Sequence, residues 1–208
     1  MTFRAVLFDL GGVVLGSPLH AIAAFERSRG IPEGFVNRVV ADTGSNGAWA
    51  RHERGELDMD AFARDFEAEC ESAGHTIPVA ALFVAMADAS QPRPAMLRAI
   101  ARIRARGLLA AALTNNFPSE DPDSGTRALR GHFDAFFESS LLGLHKPDPR
   151  IYRHACRELA IEPGQAVFLD DIGRNLKSAR ALGMTTIRVE AVDQALAELS
   201  AQLGFELD

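Results

Sequence analysis

The chain has 208 residues, a net charge of −6, 47% hydrophobic residues and 24% charged residues. These values are ordinary for a globular protein, and the excess of acidic groups argues against nucleic acid as the main partner. Because no apolar run approaches the roughly 18 residues of a membrane-spanning helix and no signal-like segment opens the chain, we expect a cytoplasmic protein without a membrane partner.

The first predicted element is a buried strand over residues 3–9, which ends in a carboxylate. Asp9 closes its apolar run, and Leu10, Gly11 and Gly12 come directly after it. In an open α/β sheet, ligands bind outside the carboxyl ends of the strands, and glycines let the backbone approach an anion closely. Asp9 is therefore a candidate catalytic group, although an isolated Asp in this setting more often only ends a strand.

The following stretch, residues 16–91, predicts helices throughout. Capping residues and apolar spacing indicate four of them, over residues 17–30, 35–44, 58–74 and 79–87. Cys70 in this stretch and Cys156 further along have apolar neighbours on helix-like segments, which favours reduced core thiols over a disulfide.

The second polar cluster follows another predicted strand. An apolar run over residues 108–114 precedes Asn115 and Asn116, and Thr114 is its last residue. Asn116 is interpreted as a cap for the turn that follows. A turn-rich, acidic loop is expected over residues 118–125, before the next predicted strand at 134–138.

The third and fourth clusters are a lysine and a pair of carboxylates. Lys146 precedes a helix with Asp148 as the expected N-cap and a proline at its first position. Asp170 and Asp171 close the apolar strand predicted over residues 166–170, and a last strand is expected at 185–189. Adjacent carboxylates at a buried strand end repel each other without a counter-charge, and Mg²⁺ suits such oxygen ligands.

Phosphoryl transfer through a covalent intermediate requires a nucleophilic carboxylate, groups that bind the phosphate, a lysine and a metal site. The four clusters supply them as Asp9, the Thr114 hydroxyl with the Asn115 amide, Lys146, and the pair Asp170 and Asp171. With these parts in this order, the chain resembles the haloacid dehalogenase-like hydrolases, from Met1 to the C-terminal helix. It is also similar to the N-terminal phosphatase domain of bifunctional soluble epoxide hydrolases. The resemblance is carried by Asp9-Leu10-Gly11-Gly12-Val13, Leu113-Thr114-Asn115, Lys146-Pro147-Asp148-Pro149 and Phe168-Leu169-Asp170-Asp171-Ile172-Gly173-Arg174-Asn175.

The resemblance implies an α/β fold, with a doubly wound, parallel-sheet (Rossmann-like) core and an inserted helical cap domain. The core would comprise residues 1–15 and 92–208, and the cap residues 16–91. The cap would close over the site as a lid and select the substrate. Candidate cap residues for the cleft are His20, Trp49, Arg51 and His52, although the segment 51–54 is interpreted as a solvated face or as a site of salt bridges between helices.

The resemblance also implies residue roles for a phosphatase that acts on a small phosphorylated metabolite. Asp9 would be the nucleophile and Lys146 the second catalytic residue. The phosphate would be bound by Leu10, Gly11, Thr114, Asn115 and Lys146. Mg²⁺ would be bound by Asp9, the main-chain carbonyl of Gly11, Asp171 directly and Asp170 through water. The expected partner is this small-molecule substrate. A homodimer, in which a second copy of the chain is a partner, and a monomer are both open.

One position departs from the pattern of the family's phosphatases. They usually have an aspartic acid two residues after the nucleophile, as the general acid, and this chain has Gly11. Losing such an acid typically costs about 10²- to 10⁴-fold in rate, mostly for esters with poor leaving groups. Unless a cap residue or the substrate supplies the proton, the expected substrates are therefore acyl, aryl or anomeric phosphates. His20 and His52 are the first candidates for that residue.

Two other functions remain open. A metal-independent 2-haloacid dehalogenase would also lack the second Asp, because halide leaves without a proton, but the family's dehalogenases lack the paired carboxylates of Asp170 and Asp171. The pair therefore favours phosphoryl transfer. The other alternative is a catalytically impaired phosphate-binding or regulatory protein that keeps the phosphate site without turnover.

Overall fold

A computed structural model describes residues 2–118 and 127–207 of the chain. Within these residues, five parallel strands form one sheet in the order β3-β2-β1-β4-β5. They are β1 (Ala5–Phe8), β2 (Leu109–Thr114), β3 (Ala135–Glu138), β4 (Ala166–Asp170) and β5 (Thr185–Arg188). All five lie where the apolar runs predict them. The expected loop at 118–125 falls, beyond Pro118, outside the described residues.

Helices cover both faces of the sheet, which confirms the doubly wound α/β core. The core helices are α6 (Pro94–Ala105), α7 (Ser139–Leu142), α8 (Pro149–Glu158), α9 (Gly173–Ala181) and α10 (Val192–Leu203). Alternate residues of β1 point to opposite faces, so Val6 and Phe8 pack with α6 and α10 while Leu7 packs with α8 and α9. The buried strands therefore have apolar residues on both sides.

Five helices lie between β1 and α6 and have a hydrophobic cluster of their own. They are α1 (Pro18–Ser28), α2 (Phe35–Thr43), α3 (Ala48–Glu53), α4 (Met59–Ser72) and α5 (Val79–Ala89). The centre of the cluster is aromatic, with Trp49 in edge contact with Phe62 and Phe66. The sequence predicts four of these helices but not the short α3. The division of the chain into core and cap at 16–91 stays a prediction.

Both cysteines are buried free thiols, as expected. Cys70 lies in the cluster of α1–α5, and Cys156 lies on the face of α8 that packs against the sheet. Within the described residues, no helix is both long and apolar enough to cross a membrane.

The register of the sheet brings the separate polar clusters together. Phe8 lies opposite Ala112 of β2 and Leu169 of β4. Asp9 therefore follows its strand at the same level as Asp170, and its backbone N–H donates to the Leu169 carbonyl at 2.9 Å. Parallel strands end at one common edge, so residues more than 150 positions apart become neighbours there.

Candidate active site

Lys146 is the centre of the site at this edge. Its Nζ lies 2.8 Å from Asp9 Oδ1 and 2.8 Å from Asp170 Oδ2, and only 1% of its side chain is exposed. Burial alone would lower the pKa of Lys146, but its two carboxylate partners hold the pKa above its ordinary value. The lysine therefore stays protonated and neutralises one of the negative charges around it.

Asp170 is fully hydrogen-bonded by the protein. Besides Lys146, Asn175 Nδ2 donates to its two oxygens at 3.1 and 3.2 Å, and the backbone N–H of Ile172 donates to Oδ1 at 2.7 Å. Asn175, near the start of α9, is a supporting residue to which sequence reasoning gave no role. Asn175 lies five residues after Asp170, on the helix that follows β4, and this spacing is the feature of the sequence that could have indicated its contact with Asp170. With its oxygens so engaged, Asp170 suits a water-mediated metal contact better than a direct one.

Asp171 has a different environment, because it is only partly buried. Its carboxylate can place an oxygen within 4.8 Å of oxygens of both Asp9 and Asp170. Burial, and then the neighbouring charge of Asp170, raise the pKa of Asp171 to about 6. Burial likewise raises the pKa of Asp9 to about 7, against the opposing effect of Lys146.

These three carboxylates face one ammonium group, which leaves two negative charges in excess when all are ionised. A divalent cation balances such an excess, and three carboxylates within 4.8 Å of one another are oxygen ligands of the kind that Mg²⁺ prefers. The donor set therefore fits the expected ion. The structure brings together the three predicted metal-ligating carboxylates and Lys146.

A tight turn over Leu10–Val14 shapes the floor of the site. Gly12 has φ of 77°, and a Cβ there would lie 2.2 Å from Asp171 Oδ2, so only glycine fits this close approach. Arg93 holds the turn by donating to the Gly12 carbonyl at 2.8 Å, which is a role that the sequence did not indicate. The Leu10 N–H donates to Asp9 Oδ1 at 2.7 Å and thereby fixes the orientation of the candidate nucleophile.

Thr114 and Asn115 lie at the end of β2, beside Lys146. Asn115 Oδ1 accepts a hydrogen bond from the Lys146 N–H at 2.8 Å, and its Nδ2 donates to the Lys146 carbonyl at 3.0 Å. Thr114 is buried, and its hydroxyl contacts the Asn115 carbonyl at 3.3 Å. Asn115 therefore fixes the backbone that carries the lysine, and its role as a phosphate ligand stays a prediction.

Glu53, at the end of α3, reaches the site from the helical stretch. Its Oε1 accepts a hydrogen bond from Trp49 Nε1 at 3.0 Å, and its Oε2 accepts one from Asn115 Nδ2 at 3.2 Å. Burial raises the pKa of Glu53 to about 7, although these two hydrogen bonds and the charges of Lys146 and Arg174 oppose the shift. The predicted solvated face is therefore wrong at Glu53, which sequence reasoning missed as a site residue.

The predicted solvated face is also wrong at His52, whose side chain is buried. Its ring stacks on Phe62 and Phe117 with centroid distances of 4.4 and 5.0 Å, and its Nδ1 lies 2.8 Å from the Leu57 carbonyl oxygen. Arg51 does form a surface ion pair, with Asp65 at 3.4 Å. His52 is a packing residue of the helical cluster rather than a proton donor in the cleft.

The remaining polar candidates divide into structural and cleft residues. Asp148 caps α8 by accepting from the Arg150 N–H, as expected. Asn116 links the end of β2 to β3 and α7, since its Nδ2 donates to Glu138 Oε1 and its N–H donates to Ser139 Oγ, and its role as a cap of the following turn stays a prediction. His145, with Arg174 of α9, lines a cavity of about 490 Å³.

This cavity lies beside the charged cluster. Val40, Trp49 and Ala50 form an apolar wall, and Glu53 and Lys146 lie on the polar side. A smaller cavity of about 130 Å³ connects Glu53 with Asp9, Gly11, Asp171 and Arg174. The two cavities share Val40, Trp49, Glu53 and Arg174, so Glu53 borders both the space that Asp9 lines and the larger space.

Comparison with known proteins gives a consistent result. Residues 3–183 match the family model of the haloacid dehalogenase-like hydrolases. The chain is 39% identical to acyl-CoA dehydrogenase family member 10 of Mus musculus, over 99% of the chain and 20% of that protein. It is 36% identical to bifunctional epoxide hydrolase 2 of Sus scrofa, over 100% of the chain and 40% of that protein. The chain thus spans less than half the length of these relatives.

Solved structures share the fold at lower sequence identity. An enzyme of this family from Bacteroides thetaiotaomicron, in complex with magnesium and inorganic phosphate, is 18% identical, with a TM-score of 0.62 over 91% of this chain and 95% of that one. An L-2-haloacid dehalogenase from Xanthobacter autotrophicus is 20% identical, with a TM-score of 0.61 over 97% and 83%. The fold therefore does not by itself distinguish the two reactions.

Proposed function

The chain belongs to the haloacid dehalogenase-like hydrolases, and we propose that within this family it is a Mg²⁺-dependent phosphatase of small phosphorylated metabolites. The observation that carries the proposal is the cluster of Asp9, Asp170 and Asp171 around one buried lysine. Its excess negative charge calls for a divalent cation. The pair formed by Asp170 and Asp171 is the feature that the family's metal-independent dehalogenases lack.

The proposed reaction passes through an acyl phosphate of Asp9, an aspartyl phosphate. Both hydrogen bonds to the Asp9 side chain described above go to Oδ1, from Leu10 and Lys146, which leaves Oδ2 as the oxygen that would attack phosphorus. Oδ2 would attack, and water would then hydrolyse the aspartyl phosphate. Lys146, Thr114 and Asn115 would hold the phosphate oxygens, together with backbone groups of Leu10 and Gly11.

Mg²⁺ bound by Asp9, Asp171, the Gly11 carbonyl and, through water, Asp170 would neutralise charge on the phosphate oxygens. The solved relative with magnesium and phosphate supports this choice of ion and ligand. The apolar wall of the larger cavity suits a metabolite with a nonpolar portion next to its phosphate. A cytoplasmic location belongs to the same proposal.

A 2-haloacid dehalogenase is the second candidate, and the observation that favours it is the absence of an acid at Gly11. Asp9 would then displace a halide without a metal. The hydrogen-bonded Asp170 and the close Asp171 argue against this function, because in a metal-free enzyme the ammonium of Lys146 would be the one cation within the described residues in direct contact with this carboxylate cluster. A catalytically impaired phosphate-binding protein would keep the same contacts without turnover.

One assay separates these candidates. Phosphate release from 4-nitrophenyl phosphate should require Mg²⁺, should stop with excess chelator, and should be lost in Asp9→Asn, because an amide is a poor nucleophile. Asp65→Asn, on the surface of α4, is the matched control and should be fully active. Equal rates with and without chelator would refute the metal mechanism. Halide release from a 2-haloacid in chelator would establish the dehalogenase, and phosphate binding without release would establish the impaired protein.

A further inference from the structure

We propose that Glu53 is the general acid and base of this site. From its position in the helical stretch it would perform the proton transfer that Gly11, which has no side chain, cannot perform. The inference rests on the proposed phosphatase function and goes beyond it by naming the proton donor. Three observations carry it: the fixed position of the carboxyl group, the cavity that it shares with Asp9, and the packing of the alternative donors.

The position of Glu53 is fixed from two sides. Trp49 Nε1 donates to Oε1 at 3.0 Å within the same helix, and Asn115 Nδ2 donates to Oε2 at 3.2 Å from the core. Asn115 also binds the backbone of Lys146, and the Lys146 ammonium binds Asp9. A short chain of contacts therefore ties the carboxyl of Glu53 to the nucleophile.

Glu53 also faces the space in which the reaction would occur. It lines the smaller cavity together with Asp9, Gly11 and Asp171, and it lines the larger cavity together with Lys146. An ester whose phosphate lies over Asp9 and whose organic group occupies the larger cavity would place its bridging oxygen between them. The carboxyl of Glu53 lines both spaces and so borders that position.

The electrostatic surroundings suit a group that both donates and accepts a proton. The ionisable groups that line the two cavities with Glu53 are Lys146, Arg174, Asp9, Asp171, His145 and Asp148. Burial raises its pKa to about 7, while the Trp49 hydrogen bond and the charges of Lys146 and Arg174 act against the shift. A general acid works best when its pKa is near the working pH.

The two histidines that the sequence favours are less well placed. His52 is fully buried between Phe62 and Phe117. His20 is exposed and lines a different cavity with Gly12 and Asp171, in which neither Asp9 nor Lys146 takes part.

The proton balance closes over the two steps. In the first, Asp9 Oδ2 bonds to phosphorus, the bond to the leaving oxygen breaks with its electron pair, and that oxygen takes the proton of Glu53 to leave as an alcohol. In the second, the Glu53 carboxylate takes a proton from water as the water oxygen bonds to phosphorus, and the electron pair of the phosphorus–oxygen bond returns to Asp9. The products are alcohol and inorganic phosphate, with Glu53 protonated again.

The test compares the wild type with Glu53→Gln on Mg²⁺-loaded protein, over phosphate esters from 4-nitrophenyl to simple alkyl. For alkyl esters, kcat/KM should fall by about 10²- to 10⁴-fold in the variant. For 4-nitrophenyl phosphate, whose leaving group needs no proton, it should change little. Wild-type kcat/KM for alkyl esters should also decline as the pH rises through about 7, because Glu53 loses its proton, and the variant should lack this decline.

Glu56→Gln is the matched control, because Glu56 is exposed and pairs with Arg54 outside the cleft. It should match the wild type on every ester. Glu53→Asp keeps an acid and should retain the pH-dependent decline even if its rate falls. An equal loss of kcat/KM on all esters would overturn the inference, because it would mean that Glu53 only positions Asn115. A fall in kcat that is common to all esters is expected, because each of them passes through the same hydrolysis of the aspartyl phosphate, in which Glu53 is the base. Unchanged alkyl rates in Glu53→Gln would overturn it as well, and a wild type inactive on every ester would instead overturn the proposed function.

Discussion

Magnesium should stabilise the folded protein, and it should do so far more strongly at pH 8 than at pH 5. The reason is competition with protons, since burial raises the pKa of Asp9 to about 7 and that of Asp171 to about 6. Without metal the dependence has the opposite sign. A carboxyl whose pKa is raised by folding stabilises the fold while protonated, so metal-free stability should decrease as the pH rises from about 4 through about 7.

The magnitude follows from these two groups. A pH of 5 is about two units below the pKa of Asp9 and about one unit below the pKa of Asp171. The apparent affinity for Mg²⁺ should therefore be about 10³-fold weaker at pH 5 than at pH 8. A concentration about 100-fold above the Kd at pH 8 stabilises the fold by about 2.7 kcal/mol, and at pH 5 by less than about 0.1 kcal/mol. For a chain of this size, the first value corresponds to a rise in Tm of about 5–10 °C.

Calorimetric unfolding with and without Mg²⁺ at the two pH values measures this effect without relying on activity. Asp171→Asn should lose most of the shift at pH 8, because it removes the carboxylate best placed to bind the metal directly. Asp65→Asn should keep the full shift. The reasoning would be refuted by equal shifts at both pH values, or by an undiminished shift in Asp171→Asn.

Three further predictions concern single positions. Lys146→Ala should lower kcat by at least about 100-fold, since its loss leaves the carboxylates unneutralised, and circular dichroism should show a retained fold; an unchanged rate would mean that its role is wrongly assigned. Gly12→Ala should lower the free energy of unfolding by about 1 kcal/mol more than Gly30→Ala in denaturant titrations. Both glycines have positive φ, but only the Cβ at Gly12 meets a neighbour, the carboxylate of Asp171, which has to move; equal losses would contradict this. Adding Gly11→Asp to the Glu53→Gln variant should restore hydrolysis of alkyl esters, provided that Pro18, which lies 3.1 Å from the new Cβ, shifts slightly. If no activity is regained, an acid at position 11 cannot reach the leaving oxygen.

The order of the core elements could be predicted from the sequence. The strands β1, β2 and β4 are short apolar runs, and a polar residue marks the end of each run, as at Asp9, Thr114 and Asp170. Because parallel strands share one carboxyl edge, placing these residues on strand ends is nearly enough to place them together. The family, the Rossmann-like core and the candidate carboxylates follow from this local pattern.

Tertiary packing decided which residues of the helical stretch reach that edge. In a helix as short as α3, spacing alone does not define a buried face, and the charged run at its end resembles a solvated surface. The orientation of α3 is set by contacts of Trp49 with Phe66, Phe83 and Phe117, which come from distant parts of the chain. Those contacts bury His52 and direct Glu53 to Asn115, and no local pattern encodes such a choice because its free energy comes from long-range burial.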